Sequence, residues 1–331
     1  MLSFSLIAVI ILALVFDAIN GFHDSANSIA TSVSTRVLSP MQAVTMAAVL
    51  NFIGAMFSHK VAKTISGGVV NGSLPEYVII SAILAAIIWD LITWYFGIPS
   101  SSSHALIGAL VGAAIAYTSS TDAIIWKGIW DKVVIPLITS PILGFGLGFI
   151  IMKILFRLLQ PFSQRFVNRW FSKLQILSAA LMSYSHGGND AQKSMGIITL
   201  ALVSAGILPK GSDVPWEVMV ACAFAMALGT SLGGWKIIKT IGVNMIRLQP
   251  IGGFAAETAA AIVIETASSI GAPVSTTHVI SSSIMGVGSA KRLTAVRWAL
   301  ARNIVWAWIL TIPVTALLGA AITFLLKLFN S

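Results

Sequence analysis

Four polar strings carry most of the chemistry available to this chain. Residues 21–28 read GFHDSANS and residues 187–194 read GGNDAQKS; residues 97–104 read GIPSSSSH and residues 271–278 read GAPVSTTH. The partners lie 166 and 174 residues apart and keep their order. In the first string Asp24, Asn27, Ser28 and Thr31 stand at i, i+3, i+4 and i+7, which makes one helix face polar. Asp190, Lys193 and Ser194 repeat that pattern, with Asn189 before them. A carboxylate with an amide or ammonium one turn away can hold a cation or a proton. Gly21, Gly187 and Gly188 precede these faces and predict local unwinding that would free backbone carbonyls. For one such Asp, a polar contact gluing two helices is an equally good account. Duplication favours function.

The other two strings suit an anion. Pro99 and Pro273 lack an amide hydrogen and disfavour helix in the residue before them. Ser101, Ser102 and Ser103 follow in one half, and Ser275, Thr276 and Thr277 in the other. Proline, then hydroxyl residues, then an apolar run is a helix-start signal. The runs that follow, 105–117 and 279–288, are short for a membrane crossing and predict re-entrant hairpins with tips near the midplane. Such a tip presents free amides, a positive helix end and a row of hydroxyls, which fits a tetrahedral oxyanion. Ordinary helix capping explains one such string and is the weaker account of two. His104 and His278 close these strings, and His23 and His186 flank the acidic ones. Proton carriage and polar capping are equally open to them. No HExxH or Cys/His zinc spacing is present, and no cofactor is implied.

The elements that position these strings are apolar. The chain has 331 residues, of which 57% are hydrophobic and 9% charged, and a mean hydropathy of +0.92. A soluble protein carries about a quarter charged residues, so this is an integral membrane protein. Residues 2–19, 41–57, 78–96, 133–154, 216–232 and 305–326 approach or reach the roughly 20 residues that span hydrocarbon. The first stretch has no preceding Lys or Arg and reads as a retained helix rather than a signal peptide. The one cysteine, Cys222, lies within a span and reads as a small core residue. The net charge of +9 clusters beside spans, which is the positive-inside pattern and excludes a nucleic-acid partner.

Paired polar breaks in a duplicated apolar chain are the signature of a secondary transporter. The expected organisation is a first inverted repeat over 1–159, a basic linker over 160–173, and a second inverted repeat over 174–331. The linker reads as an amphipathic cytoplasmic helix or a basic loop. Equivalent loops differ in charge: 119–127 is nearly neutral, whereas 291–302 holds four cations and no acid. That contrast predicts both termini outside and the linker inside; His59, Lys60 and Lys63 run against it. Six acids fall in apolar stretches: Asp17, Asp24, Asp90, Asp190, Glu257 and Glu265. Each, if ionised at mid-bilayer, costs roughly 2.5–3.5 kcal/mol or more. They need protons, partners or a hydrated cavity. Glu257 and Glu265, spaced i and i+8, read either as one face aimed at the site or as pairs within the bundle.

Together the four strings resemble the inorganic phosphate transporter (PiT) family, of the bacterial low-affinity type. That family carries duplicated G-x-[NH]-D-x-x-[NK] and G-x-P-x-S-[ST]-[ST]-H motifs, and the resemblance covers nearly the whole chain. It implies an all-α integral membrane fold of two inverted repeats with paired re-entrant hairpins and broken transmembrane helices. It also implies a homodimer in the cell membrane that takes up phosphate with a coupling cation, and no enzyme activity. Carried onto this sequence, phosphate would meet Ser101, Ser102, Ser103, Ser275, Thr276 and Thr277. Asp24, Asn27, Asn189, Asp190 and Lys193 would form the cation- or proton-coupling set, with His104, His278, Glu257 and Glu265 supporting. A sodium ion would fall at Asp24, Asn27 and Asp190. Sodium-coupled members resemble Asn at both positions of the Asn27/Lys193 pair, so Lys193 favours proton coupling. The rival readings are a permease for sulfate or another oxyanion, a membrane enzyme acting on phosphate esters, and a passive channel.

Overall fold

The computed structural model describes residues 3–57, 59–70 and 74–330, the side chains of 329 and 330 excepted. The two chain ends, for which an outside location is expected, lie outside these residues. Among the described residues every regular element is helical, and one isolated bridge joins Val70 to Ile124. The first half contains α1 (Phe4–Ser34), α2 (Pro40–Phe57), α3 (Lys60–Gly68), α4 (Glu76–Phe96) and α5 (Ser102–Thr118). It closes with α6 (Trp126–Ile129), which passes through a π-helical turn into α7 (Ile135–Leu159). The second half repeats that order as α8 (Gln164–Ser204), α9 (Trp216–Leu232), α10 (Trp235–Lys239), α11 (Pro250–Ser269), α12 (Thr276–Lys291) and α13 (Trp298–Asn330).

The repetition extends to single hydrogen bonds. Gly97 and Gly271 end α4 and α11 in the left-handed region, at φ 66° and 72°, where a Cβ is disfavoured. Ser101 and Ser275 then cap α5 and α12, accepting from the amides of His104 (3.3 Å) and His278 (3.2 Å). After each short helix comes a 3₁₀ turn, and the indoles of Trp126 and Trp298 donate to Thr121 O (3.1 Å) and Leu293 O (2.8 Å). Pro141 and Pro313 sit inside α7 and α13.

The halves interlock rather than stand side by side. Helix α5 packs on α13, α12 on α7, α1 on α9 and α2 on α8. The short helices cross over in the same way. Lys60 Nζ and Thr64 Oγ1 on α3 donate to Ser269 O (2.8 Å) and Gly271 O (2.7 Å), at the end of α11. Lys236 Nζ on α10 and Thr240 Oγ1 just beyond it donate to Tyr95 O (3.0 Å) and Gly97 O (2.9 Å), at the end of α4. Carbonyls left over at each helix C-terminus are thus satisfied by the opposite half.

Among the described residues, five helices are long and apolar enough to cross a membrane: α1, α2, α4, the run Trp126–Leu159, and α13. The pair Trp216–Leu232 and Trp235–Asn244 makes a sixth, bent by 61°. These six coincide with the six apolar stretches of the sequence. The break in this span falls at Gly233 and Gly234, not at the acidic motifs. Helices α1 and α8 run without interruption through Gly21, Gly187 and Gly188. What those glycines supply is close approach. A Cβ on Gly21 would lie 2.4 Å from Met226 O of α9, and one on Gly187 would lie 2.2 Å from Asn51 O of α2. Their counterparts across each crossing, Gly229 and Gly54, face Ala18 O at 1.9 Å and Tyr184 O at 2.0 Å. Small residues at crossings let membrane helices touch backbone to backbone.

Within the stretch 160–173, residues 160–163 turn between α7 and α8; Ser163 caps α8, accepting from Phe166 N (3.3 Å), and the helix continues to the acidic motif. The basic residues 165, 169 and 173 are therefore the first turns of the long site helix. Glu265 is exposed on the outer side of α11, while Glu257 is fully buried. Eight residues advance a helix by 800°, about 80° beyond two full turns, enough to turn one off the buried face.

Gly229→Ala should push α1 from α9 and cost about 1–3 kcal/mol, read as a lowered melting temperature in detergent. Gly146→Ala on α7, where a Cβ meets nothing within 4 Å, should melt like the parent.

Candidate functional site

The site is where the two hairpin tips meet the two acidic helices. The tips touch each other: Ser103 Oγ donates to Val274 O (3.0 Å), and the rings of His104 and His278 lie 5.0 Å apart. His278 stacks on Trp308 of α13 at 4.0 Å, and the Trp308 indole donates to Pro99 O (3.2 Å). Every residue from Pro99 to Leu110 and from Gly271 to Ala290 is buried.

Asp24 and Asp190 lie on the facing helices α1 and α8 and reach into both tips. Asp24 accepts from Ser102 Oγ (3.4 Å) and Thr277 Oγ1 (3.4 Å), one from each hairpin. It also pairs with His23 Nδ1 at 2.6 Å, and His23 Nε2 contacts Thr93 Oγ1 at 3.0 Å. Asp190 accepts from Thr276 Oγ1 (3.2 Å) and pairs with Lys193 Nζ (2.9 Å), with His186 Nε2 at 3.4 Å. Asn27 joins the two halves of this network: its Nδ2 donates to Thr276 Oγ1 (3.2 Å) and Thr277 Oγ1 (2.9 Å). All these side chains are buried, Lys193 at 1% exposure. A lysine so placed requires its carboxylate partner, because an unpaired buried ammonium is costly.

The geometry sorts the sequence-derived candidates into groups. Ser102, Thr276 and Thr277 present hydroxyls to the acids, whereas Ser101 and Ser275 are committed as helix caps and Ser103 as a tie between tips. The first-turn amides of Ser102, Ser103, Thr276 and Thr277 have no intrahelical acceptor by helix geometry. They add four donors beside those hydroxyls, and that donor set suits a tetrahedral oxyanion. Asn189 points away and donates to Ser268 Oγ (2.8 Å), which mirrors His23 on Thr93. His104 and His278 stand behind the tips rather than against the acids.

Glu257 is not part of this centre. It accepts from Thr31 Oγ1, Ser178 Oγ and Gln175 Nε2, which ties α1, α8 and α11 together. Glu257 is thus hydrogen-bonded within the bundle. Asp17 and Asp90 are fully buried and make no ion pair among the described residues. The sequence reading missed the residues that orient the histidines. Thr93 also accepts from Ser100 (2.9 Å). Asn51 Oδ1 lies 3.2 Å from His186 Nδ1, and its Nδ2 donates to Thr230 (2.9 Å). They belong to no repeated string; only polar residues inside otherwise apolar spans marked them.

One oxygen each from Asp24 and Asp190 and a ring nitrogen of His186 lie within 4.8 Å of one another. That spacing admits a single small cation, with two carboxylates to offset its charge. Hydroxyls, helix-start amides and carboxylates from both halves thus share one buried centre.

A helical membrane protein with a buried polar centre contributed by two similarly ordered halves is a solute transporter by class. A family model described as the phosphate transporter family matches residues 20–167 and again 159–319. A probable low-affinity inorganic phosphate transporter of Bacillus subtilis is 51% identical over 328 residues, covering 97% of each chain. The same description is given to a protein of Rhizobium meliloti, 49% identical over 95% of this chain and 94% of its own. A solved structure described as the sodium-dependent phosphate transporter superposes with a TM-score of 0.90. It shares 27% identity and covers 98% of this chain and 100% of its own. The chain belongs to the phosphate transporter family, a family of multi-pass membrane transporters and not of enzymes.

Lys193→Met leaves Asp190 without its cation and should destabilise the protein by about 3–5 kcal/mol. Adding Asp190→Asn should recover much of that loss. A melting series on the two single variants and the double variant measures this coupling.

Proposed function

We propose that the protein is a cation-coupled importer of inorganic phosphate that works by alternating access. The observation that carries this reading is the shared network of Asp24, Asp190, Asn27, Ser102, Thr276 and Thr277 at the meeting tips. Phosphate binds to the tip amides and hydroxyls, and the cation binds between the carboxylates. Without the cation, the carboxylates repel the anion, so each ligand raises the affinity for the other. The cation reduces the net negative charge of the loaded centre, and movement of that centre then costs less. The two halves act as inverted repeats, with both termini outside and the basic start of α8 in the cytoplasm, and the protein works as a homodimer.

The substrate follows from hydrogen-bond chemistry. Hydrogen phosphate carries a proton that Asp24 or Asp190 accepts. Sulfate at neutral pH has none and meets two carboxylates without relief. A phosphate-ester hydrolase finds no second His–Asp pair in the repeat, since Asn189 stands where His23 does.

For the coupling ion we favour the proton. Lys193 places its ammonium 2.9 Å from Asp190, where the other half has the neutral amide of Asn27. Sodium is the second reading. It is supported by the spacing of Asp24, Asp190 and His186 and by the sodium dependence of the structural neighbour.

In proteoliposomes with proton and sodium gradients imposed separately, uptake of labelled phosphate should follow the proton gradient. Uptake that needs sodium and ignores pH would select the second reading. Arsenate should compete and sulfate should not. Asp24→Asn should abolish uphill accumulation while the protein stays folded, and Asp190→Asn combined with Lys193→Met, which leaves no buried ammonium unpaired, should do the same; normal accumulation in either removes that carboxylate from the mechanism.

A further inference from the structure

A second cationic site lies at the far end of α12 from the centre. Arg247, Lys291, Arg292 and Arg297 line one cavity of about 350 Å³, joined by Gln249 and Thr294. No carboxylate lines it. Thr276, at the start of α12, touches the central acids, and Lys291 ends the same helix 15 residues later. A helix of that length separates the two places by roughly 22 Å, so the cavity is not an extension of the centre.

Two comparisons within the molecule argue that these cations gather for a ligand. The equivalent elements of the first half carry Tyr117, Thr118 and Ile125 where the second half has Lys291, Arg292 and Arg297, although the 3₁₀ turn and the tryptophan beside them are repeated. The same scaffold therefore forms in the first half without this charge. A cavity of similar volume beside α3 also holds cations, Lys63 and Lys210, but there Lys63 pairs with Asp213 at 2.5 Å. That ammonium holds the Asp213 carboxyl below its usual range. The cavity at the end of α12 has no such acid. Retention of cations on one face of the membrane accounts for their sign, but not for their convergence on one concave surface. Like charges focused in a cleft raise the local concentration of anions, and arginine forks suit phosphate oxygens in pairs.

We propose that this cavity binds a phosphate group, supplied either by free inorganic phosphate or by the headgroup of an anionic membrane lipid. The site is separate from the transport centre, and its occupancy does not depend on the coupling ion.

The test uses the full chain, purified and stripped of lipid in neutral detergent, beside a Lys291→Gln/Arg292→Gln/Arg297→Gln variant. Equal phosphate uptake by the two in phosphatidylcholine vesicles, or equal melting temperatures without ligand, establishes that the variant is folded. In the lipid arm, phosphatidylglycerol is added and retained adducts are counted by native mass spectrometry. In the phosphate arm, the rise in melting temperature is measured with inorganic phosphate against chloride of equal ionic strength. Loss of adducts in the variant, by about fivefold per charge removed, identifies the headgroup as the source. A smaller phosphate-induced rise in the variant, with adducts unchanged, identifies free phosphate. Equal responses of variant and parent in both arms overturn the proposal. If the triple variant does not fold, Arg297→Gln alone is read by the same two arms with the same criteria. Because neither arm measures transport, the outcome is distinct from success or failure of the phosphate-import reading.

Discussion

The structure is organised around the need to keep Asp24 and Asp190 satisfied inside an apolar bundle. An ionised carboxylate at that depth is tolerated only when it is paired and hydrogen-bonded. No single helix supplies enough partners. Asp24 takes a histidine from its own helix and one hydroxyl from each hairpin tip, and Asp190 takes a lysine from its own helix and a hydroxyl from the second tip. Both tips must therefore reach the same place, from opposite halves of the chain. Interlocking of the halves follows from this, as does the close crossing of α1 with α9 and of α8 with α2.

The repeat is close in architecture and loose in chemistry, and the differences are where function is set. Asn27 and Lys193 occupy equivalent positions, yet Asn27 bridges to the opposite hairpin while Lys193 turns to the carboxylate on its own helix. His23 and Asn189 both reach a hydroxyl on the neighbouring hairpin helix, Thr93 in one case and Ser268 in the other, but only the histidine also holds an acid. A duplicated scaffold gives two similar half-sites, and single substitutions within it divide the labour. The helix-end ties show the opposite behaviour. Lys60 and Thr64 match Lys236 and Thr240 in partner type as well as in position, because satisfying stranded carbonyls is the same task in both halves.

Much of this was legible in the order of residues. Hydrocarbon thickness sets the length of a span, so the six apolar stretches were visible as runs of hydropathy. Proline before hydroxyl residues fixed the starts of α5 and α12, because that pattern acts through local backbone geometry. The polar faces around Asp24 and Asp190 followed from helical periodicity alone. Local rules misled where a residue's neighbour lay far along the chain. Gly21 and Gly187 read as breaks, since glycine weakens an isolated helix, but each sits against another backbone that only a glycine admits. Ser163 begins a helix that the mixed composition of 160–173 obscured.

What the sequence determined by itself was the inventory: a membrane chain written twice, with acids, hydroxyls and histidines at matched places. Those features are local, and hydropathy, periodicity and proline geometry suffice to read them. Only the tertiary structure decided which hydroxyl serves which acid. It made Ser101 and Ser275 caps while Ser102, Thr276 and Thr277 face the centre, and it placed Glu257 in a separate tie and Glu265 on the outside. Those assignments depend on how two halves more than 160 residues apart are rotated against each other, and that rotation is set by backbone contact between packed helices rather than by any one segment.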